Sequence, residues 1–158
     1  MTFYSRAPLR IGLAGGGTDV SPYCDEYGGA VVNTTISLYA HASIELQEDG
    51  MITIEAADQQ ETAVFPVSGL LPIDGSMDLH KAVYNRFQKD HGLVNKSFKL
   101  ITYVDAPAGS GLGTSSTLVV ALVAVFAQWL QLPMSKQAMA AYAYEIERTD
   151  LGFAGGHQ

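Results

Sequence analysis

The segment Pro107-Ala108-Gly109-Ser110-Gly111-Leu112-Gly113-Thr114-Ser115-Ser116-Thr117 carries the residues of this chain best suited to chemistry. Its three alternating glycines allow backbone conformations closed to other residues. With no β-carbon in the way, an anion can approach the main chain closely. Four consecutive hydroxyl residues then open a helix, and the first N–H groups of a helix have no intrahelical acceptor. Those amides and the positive end of the helix dipole suit a phosphate. The hydroxyls can cap the helix, touch phosphate oxygens or reach a magnesium ion. A tight strand-to-helix turn with good caps would use some of the same residues, but the density of glycine and hydroxyl exceeds what a turn requires. Pro107, Gly109, Ser110, Gly111, Leu112, Gly113, Thr114, Ser115 and Ser116 are therefore the candidate phosphate-binding set.

Two familiar phosphate loops are excluded. A P-loop needs a lysine after its last glycine, and Thr114 stands there instead. The dinucleotide fingerprint G-x-G-x-x-G would place its last glycine at Thr114. Positive charge for phosphoryl chemistry must then come from Mg²⁺ and from basic groups elsewhere in the chain.

Other residues have two readings on sequence alone. Arg10 lies between apolar Leu9 and Ile11 on a strand-like run, where a charge commonly faces solvent. Turned inward, it would stabilise transferring phosphoryl charge, since arginine cannot serve as a general base. Asp19 follows the turn Gly15-Gly16-Gly17-Thr18 and suits the cap of a short helix. Glu145 and Glu147 stand two apart on a helix and so face different directions. A surface salt bridge to a nearby base is the plain role for Glu147. His41, His80, His91 and His157 lack metal-ligand spacing, although His157 sits in a glycine loop where it can approach a substrate. Cys24 is read as packing rather than as a nucleophile.

The elements that must position these residues follow from composition and pattern. At 158 residues and 47% apolar, the chain fits one domain with a sizeable core. A net charge of −7 argues against nucleic acid as a partner. The apolar run 118–132 is too short for the roughly 20 residues of a membrane span. The lone cysteine and the lack of a signal peptide point to a reducing cytoplasm. Oligomeric state is not legible.

Strands are expected over 6–13, 30–36, 38–46, 51–56, 62–67 and 98–104, with the turn Glu48-Asp49-Gly50 joining 38–46 and 51–56 as a hairpin. Pro66 favours a sheet edge for 62–67. Helices are expected over 19–27, from Asp78 to Gly92 with Leu79, Val83 and Phe87 on one face, along the apolar run after the glycine loop, and from a Ser135 cap to Gly152. The resulting architecture is α+β, a mixed and mainly antiparallel sheet covered by helices; regular βαβ alternation is absent. The chain stops within the glycine loop 152–158, which reads as a piece of a longer protein, a frayed tail being the alternative.

The segment Pro107 to Ser116 resembles the phosphate loop of the GHMP kinases, approximately P-x-G-x-G-L-G-S-S, with Thr114 in place of the first serine. Ala7-Pro8-Leu9-Arg10-Ile11 with Ala14-Gly15-Gly16-Gly17-Thr18-Asp19 is similar to the first motif of that family. Glu145-Ile146-Glu147-Arg148 and the glycine loop 152–158 look like its third. The resemblance covers nearly the whole chain. It implies the family's N-terminal fold, two layers like a domain of a small-subunit ribosomal protein, with a C-terminal domain absent from residues 1–158. It implies ATP and Mg²⁺, and a sugar or sugar phosphate as acceptor. Residues 6–11 with 14–19, and the later segment 27–36, look within the family most like the branch acting on a phosphorylated heptose. A fucokinase, a galactokinase or a non-catalytic nucleotide-binding domain are the alternatives.

Roles follow from the resemblance residue by residue. Gly16, Gly17, Thr18 and Asp19 would bind substrate, Asp19 by accepting sugar hydroxyls. Arg10 would act on the transferring phosphoryl group, at a place where the family often has lysine. Glu147 would hold Mg²⁺ with the hydroxyl of Thr114 or Ser115. An aspartate after the family's Gly-x-Gln would be the base, which puts it just past Gln158.

Overall fold

Two long strands, β1 (Thr2–Ala14) and β2 (Val32–Leu46), pair antiparallel and frame the sheet. Their register slips between Pro8 and Arg10, where Pro8 faces Tyr39 and Arg10 already faces Thr35. Such bulges re-aim side chains at the edges of functional sites. The runs expected as two strands, 30–36 and 38–46, pass through this slip as one strand. The computed structural model describes residues 1–93 and 95–156.

Three further strands, β3 (Met51–Ala56), β4 (Glu61–Pro66) and β5 (Phe98–Val104), complete a five-stranded sheet of order β1-β2-β5-β3-β4. The expected hairpin of β2 with β3 does not form. The chain does reverse at Glu48–Gly50, but β5 inserts between the two strands, antiparallel to β2 and parallel to β3. Ser97, just ahead of β5, accepts from the amides of Gln47 and Gly50 and so occupies the mouth of the turn. A turn signal reports that the chain reverses, and not which strand fills the space beside it. Pro66 does end the edge strand, as its missing N–H requires.

One sheet face is apolar. Ile52 and Ile54, Ala40, Ala42 and Ile44, and Phe98 and Leu100 alternate along their strands and are buried. Against them lie α2 (Asp78–His91) and α3 (Thr114–Trp129), and α4 (Lys136–Glu145) packs on α3. Helix α3 is buried nearly all round because it packs on β1, β2 and β5 and also touches α2 and α4. A helix apolar on every side belongs in such a place. Ser135 caps α4, its hydroxyl accepting from the Ala138 amide at 3.1 Å. The short helix α1 runs only over Tyr23–Tyr27, so Asp19 does not cap it. Helix α2 buries Val83 and Phe87 as expected, but Leu79 is half-buried and Lys81 is inside, paired with Asp74. That loop carboxylate and the Phe65 ring let the amine leave water.

The aromatic centre of the core is Phe126, stacked on Phe87 at 5.0 Å and edge-on to Phe98 at 5.8 Å. Because it joins α2, α3 and β5, Phe126→Ala is expected to destabilise the fold by about 3–5 kcal/mol. A urea titration followed by far-UV circular dichroism measures the change; a loss under about 1 kcal/mol would mean the core closes over the gap.

Candidate active site

The glycine loop meets β1 at the bulge. The Arg10 amide donates to the Leu112 carbonyl at 3.1 Å instead of continuing the ladder, and its guanidinium donates to the Gly111 carbonyl at 3.1 Å. The same guanidinium lies against Gly113, where a Cβ would sit 3.3 Å from Cζ. Arg10 is therefore half-buried on the loop rather than solvent-facing. Gly109, Gly111 and Gly113 all take positive φ, a backbone conformation that would strain other residue types.

Between Gly109 and Ser116 the Ser110 amide donates to the Pro107 carbonyl, and no other amide of the segment donates to a described atom. The loop lies open, with Pro107, Gly109, Ser110 and Gly111 exposed and open space beyond the α-carbons of Gly109 and Gly111. Helix α3 begins on Gly113, which has no side chain to cap it.

The hydroxyls at the start of α3 point two ways. Ser116 donates to Glu147 Oε1 at 3.0 Å and lines a cleft of about 290 Å³. Thr114 and Ser115 line a smaller depression with Asp58 and Gln59 on another side of the loop. Successive helical residues are rotated by about 100°, so they cannot all reach one carboxylate. The hydroxyl bonded to Glu147 is thus that of Ser116, while Thr114 and Ser115, expected beside it at a metal, face the other side of the loop.

Glu147 is 4% exposed. Burial pushes its carboxyl above the ordinary carboxylate range, while the Ser116 hydroxyl and the nearby Arg148 charge pull it partly back. Its direction is set by a π-helical turn, Ile146–Asp150, which follows α4 directly. Wide turns of this kind are rare and recur at functional sites. Glu145 points outward to Arg86 at 2.6 Å, so the two glutamates do diverge. Arg86 also holds Asp150 and Asp90, gripping both ends of the turn.

Asp19 is 9% exposed, and its carboxylate lies against Gly156, which lines the cleft. Gly16 and Gly17 are exposed with open space around them and do not line the cleft. Thr18 is engaged within the turn, donating to the Gly15 carbonyl at 2.7 Å and accepting from the Ala30 amide at 3.1 Å. His157 lies outside the described residues. The cleft also takes Asn33, Thr35 and Arg148, to which no role attaches from the sequence alone. Their signal was faint: Asn33 and Thr35 are polar positions on a strand, and Arg148 follows Glu147 with nothing in its type to set it apart.

Residues 78–158 match the family described as GHMP kinases N terminal domain. The chain belongs to the GHMP kinases. It is 49% identical over 157 residues, 99% of its length, to a D-glycero-alpha-D-manno-heptose 7-phosphate kinase of Campylobacter jejuni subsp. jejuni, of which it covers 46%. The crystal structure of a D-glycero-D-manno-heptose 1-phosphate kinase from Bacteriodes thetaiotaomicron superposes with a TM-score of 0.93 at 53% identity, over all of this chain and 51% of that one. A Lactococcus lactis galactokinase complexed with galactose shares the fold, with a TM-score of 0.80 at 21% identity, over 99% of this chain and 40% of that one. The chain spans about half the length of these relatives. The α+β architecture expected from the sequence is thus that of this GHMP kinase domain.

Proposed function

We propose that this GHMP kinase domain is the nucleotide-binding N-terminal half of a sugar kinase. The reaction is transfer of the γ-phosphoryl group of ATP to a hydroxyl of a sugar phosphate, with the anomeric hydroxyl of D-glycero-D-manno-heptose 7-phosphate as acceptor. The observation that carries this reading is the row of unengaged amides at the start of α3 with Arg10 pinned beside it. The relatives' names supply the sugar.

The residues fit Mg²⁺-ATP. A triphosphate can lie on the amides of Gly109 to Ser116, where glycines leave the main chain open. Glu147 is a buried carboxylate with no cation within 4 Å among the described residues, so a metal would relieve its desolvation. Ser116 holds it ready, and Thr114 or Ser115 can offer a hydroxyl from the adjoining side. When bound, Mg²⁺ neutralises and orients the phosphate oxygens. Arg10 stabilises charge on the transferring group through its remaining N–H donors. Asp19, beside Gly156 at the edge of the cleft, accepts hydroxyls of the sugar, with Gly16, Gly17 and Thr18 shaping that end. The base is the aspartate expected after Gln158. The lone Cys24 suits a reducing cytoplasm.

The test uses the polypeptide extended to the length of its relatives. ADP release is measured with Mg²⁺-ATP and a panel of heptose 7-phosphate, fucose and galactose, and phosphorus NMR locates the new ester. Turnover on heptose 7-phosphate with a new anomeric phosphate is expected. Preference for fucose or galactose would reassign the acceptor, and absence of ATP binding would make the domain non-catalytic. Residues 1–158 alone are expected to bind nucleotide weakly without turnover; robust turnover by them would show that the base lies within the chain.

A further inference from the structure

We infer that Arg148 is a positioning residue that holds the glycine strip Gly155–Gly156 against Asp19 and so sets the acceptor end of the cleft. This rests on the reading of Asp19 as the carboxylate that binds the sugar.

The contacts are specific. The Arg148 guanidinium donates from Nη1 to the Phe153 carbonyl at 3.3 Å and from Nη2 to the Gly156 carbonyl at 3.2 Å. The Phe153 amide donates to the Glu147 carbonyl at 2.9 Å, so residues 147 and 148 close the loop from both sides. The Tyr144 ring lies under the guanidinium, 5.4 Å from centroid to Cζ, and restricts where it can go. Arginine's planar fork suits this task, because two N–H groups can reach two carbonyls without reorganising the side chain.

The glycines explain why the strip is thin. A Cβ on Gly155 would fall 2.7 Å from Arg148 Cζ and closer still to Nη2. A Cβ on Gly156 would fall 2.6 Å from Asp19 Oδ1 and closer still to Oδ2. Arg148 packs on one glycine and Asp19 on the next, so one thickness of main chain separates the cation from the carboxylate. Any outward movement of the strip would open space behind the Asp19 carboxylate.

Arg148 is not committed to an ion pair. Among the described residues no carboxylate lies within 4 Å of it, whereas Arg86 holds Asp90, Glu145 and Asp150. The acceptors of its two hydrogen bonds are main-chain carbonyls of one loop. The phosphate loop has a separate anchor in Arg10. Loss of the Arg148 contacts should therefore disturb the acceptor end and leave the nucleotide end in place.

The test compares Arg148→Met and Arg148→Lys with wild type in the extended polypeptide. Amide hydrogen exchange is read first, because it needs no turnover. Arg148→Met should speed exchange in residues 152–156 by about tenfold and leave residues 109–116 unchanged. Wild-type exchange in 152–156, or equal loss in both loops, would overturn the inference. Kinetics is read second, with heptose 7-phosphate and the unphosphorylated heptose as acceptors. Arg148→Met should raise KM for both by the same factor, about tenfold, with nucleotide Kd unchanged. Free guanidinium should restore part of the loss, and Arg148→Lys should not, lacking the fork. A greater loss on the phosphorylated acceptor would make Arg148 a direct phosphate contact, and an unchanged acceptor KM would leave it a structural staple. Either result overturns the positioning role. If wild type turns over neither acceptor, the proposed sugar reaction fails, while the exchange result still decides whether Arg148 holds the strip.

Discussion

Glu147→Gln should lower turnover of the extended polypeptide by about 10²–10³-fold, the usual scale for removing one preorganised electrostatic partner of a transition state. Glutamine keeps the shape and an oxygen for Ser116 but lacks the charge that would hold Mg²⁺. The apparent requirement for Mg²⁺ should rise with the loss, which a titration of activity against metal at saturating ATP would read. The same substitution should stabilise the metal-free protein. Burial holds the folded-state pKa of Glu147 above its unfolded value. Below the unfolded pKa both states are protonated and nothing is lost. As pH rises through the folded pKa, the native state must ionise a carboxyl that burial disfavours, and stability falls. Glutamine removes that slope. Calorimetry without metal should give a higher Tm for Glu147→Gln at neutral pH and a smaller difference in mild acid. Unchanged turnover would remove Glu147 from the metal site, and a lower Tm at neutral pH would mean its carboxylate is well solvated.

Arg10→Met should reduce kcat by about 100-fold or more with a small change in nucleotide Kd. Its backbone amide, which anchors Leu112, survives the substitution. What is lost is the guanidinium beside Gly111 and Gly113 and its charge on the transferring group. Arg10→Lys keeps a charge but not the fork, so partial recovery of kcat is expected. Pre-steady-state phosphoryl transfer separates this from slow product release. A loss confined to nucleotide binding would make Arg10 an anchor of the loop alone.

The open glycine loop before α3 was legible because its cause is local. Glycines that need positive φ and hydroxyls at a helix start are written in consecutive residues, and the structure opens that segment as their types imply. The alternation of β5 and the buried character of α3 were legible for a similar reason: period and apolar content report burial directly. Asp19 was legible as a carboxylate after a turn, but its cap reading failed because α1 starts only at Tyr23.

The pairing of β2 with β5 was hidden. Strand β5 begins at Phe98, far along the chain from the reversal at Glu48–Gly50, and no residue near that turn announces its arrival. The Gln47 amide donates to the Ser97 carbonyl at 3.0 Å, which seats the start of β5 beside the end of β2. The hydrogen-bond partner of Glu147 was hidden as well. The family resemblance set Thr114 or Ser115 beside Glu147, and only the rotation of α3 against the π-helical turn brings the Ser116 hydroxyl to it. Arg148, Gly155 and Gly156 fall within a motif, but no role attaches to them until Asp19 and the loop 152–156 are brought together across the fold.

By itself, then, the order of residues in this protein determined where the main chain lies open before a helix, which runs are buried, and that a mainly antiparallel sheet would be covered by helices. These depend on neighbours in the chain and on period. Tertiary structure alone decided that Arg10 turns to the glycine loop, that Ser116 meets Glu147, and that Arg148 packs on Gly155 while Asp19 packs on Gly156. Those outcomes depend on contacts between segments distant in sequence, where packing and the bulge in β1–β2 select one orientation among several that the residue types permit.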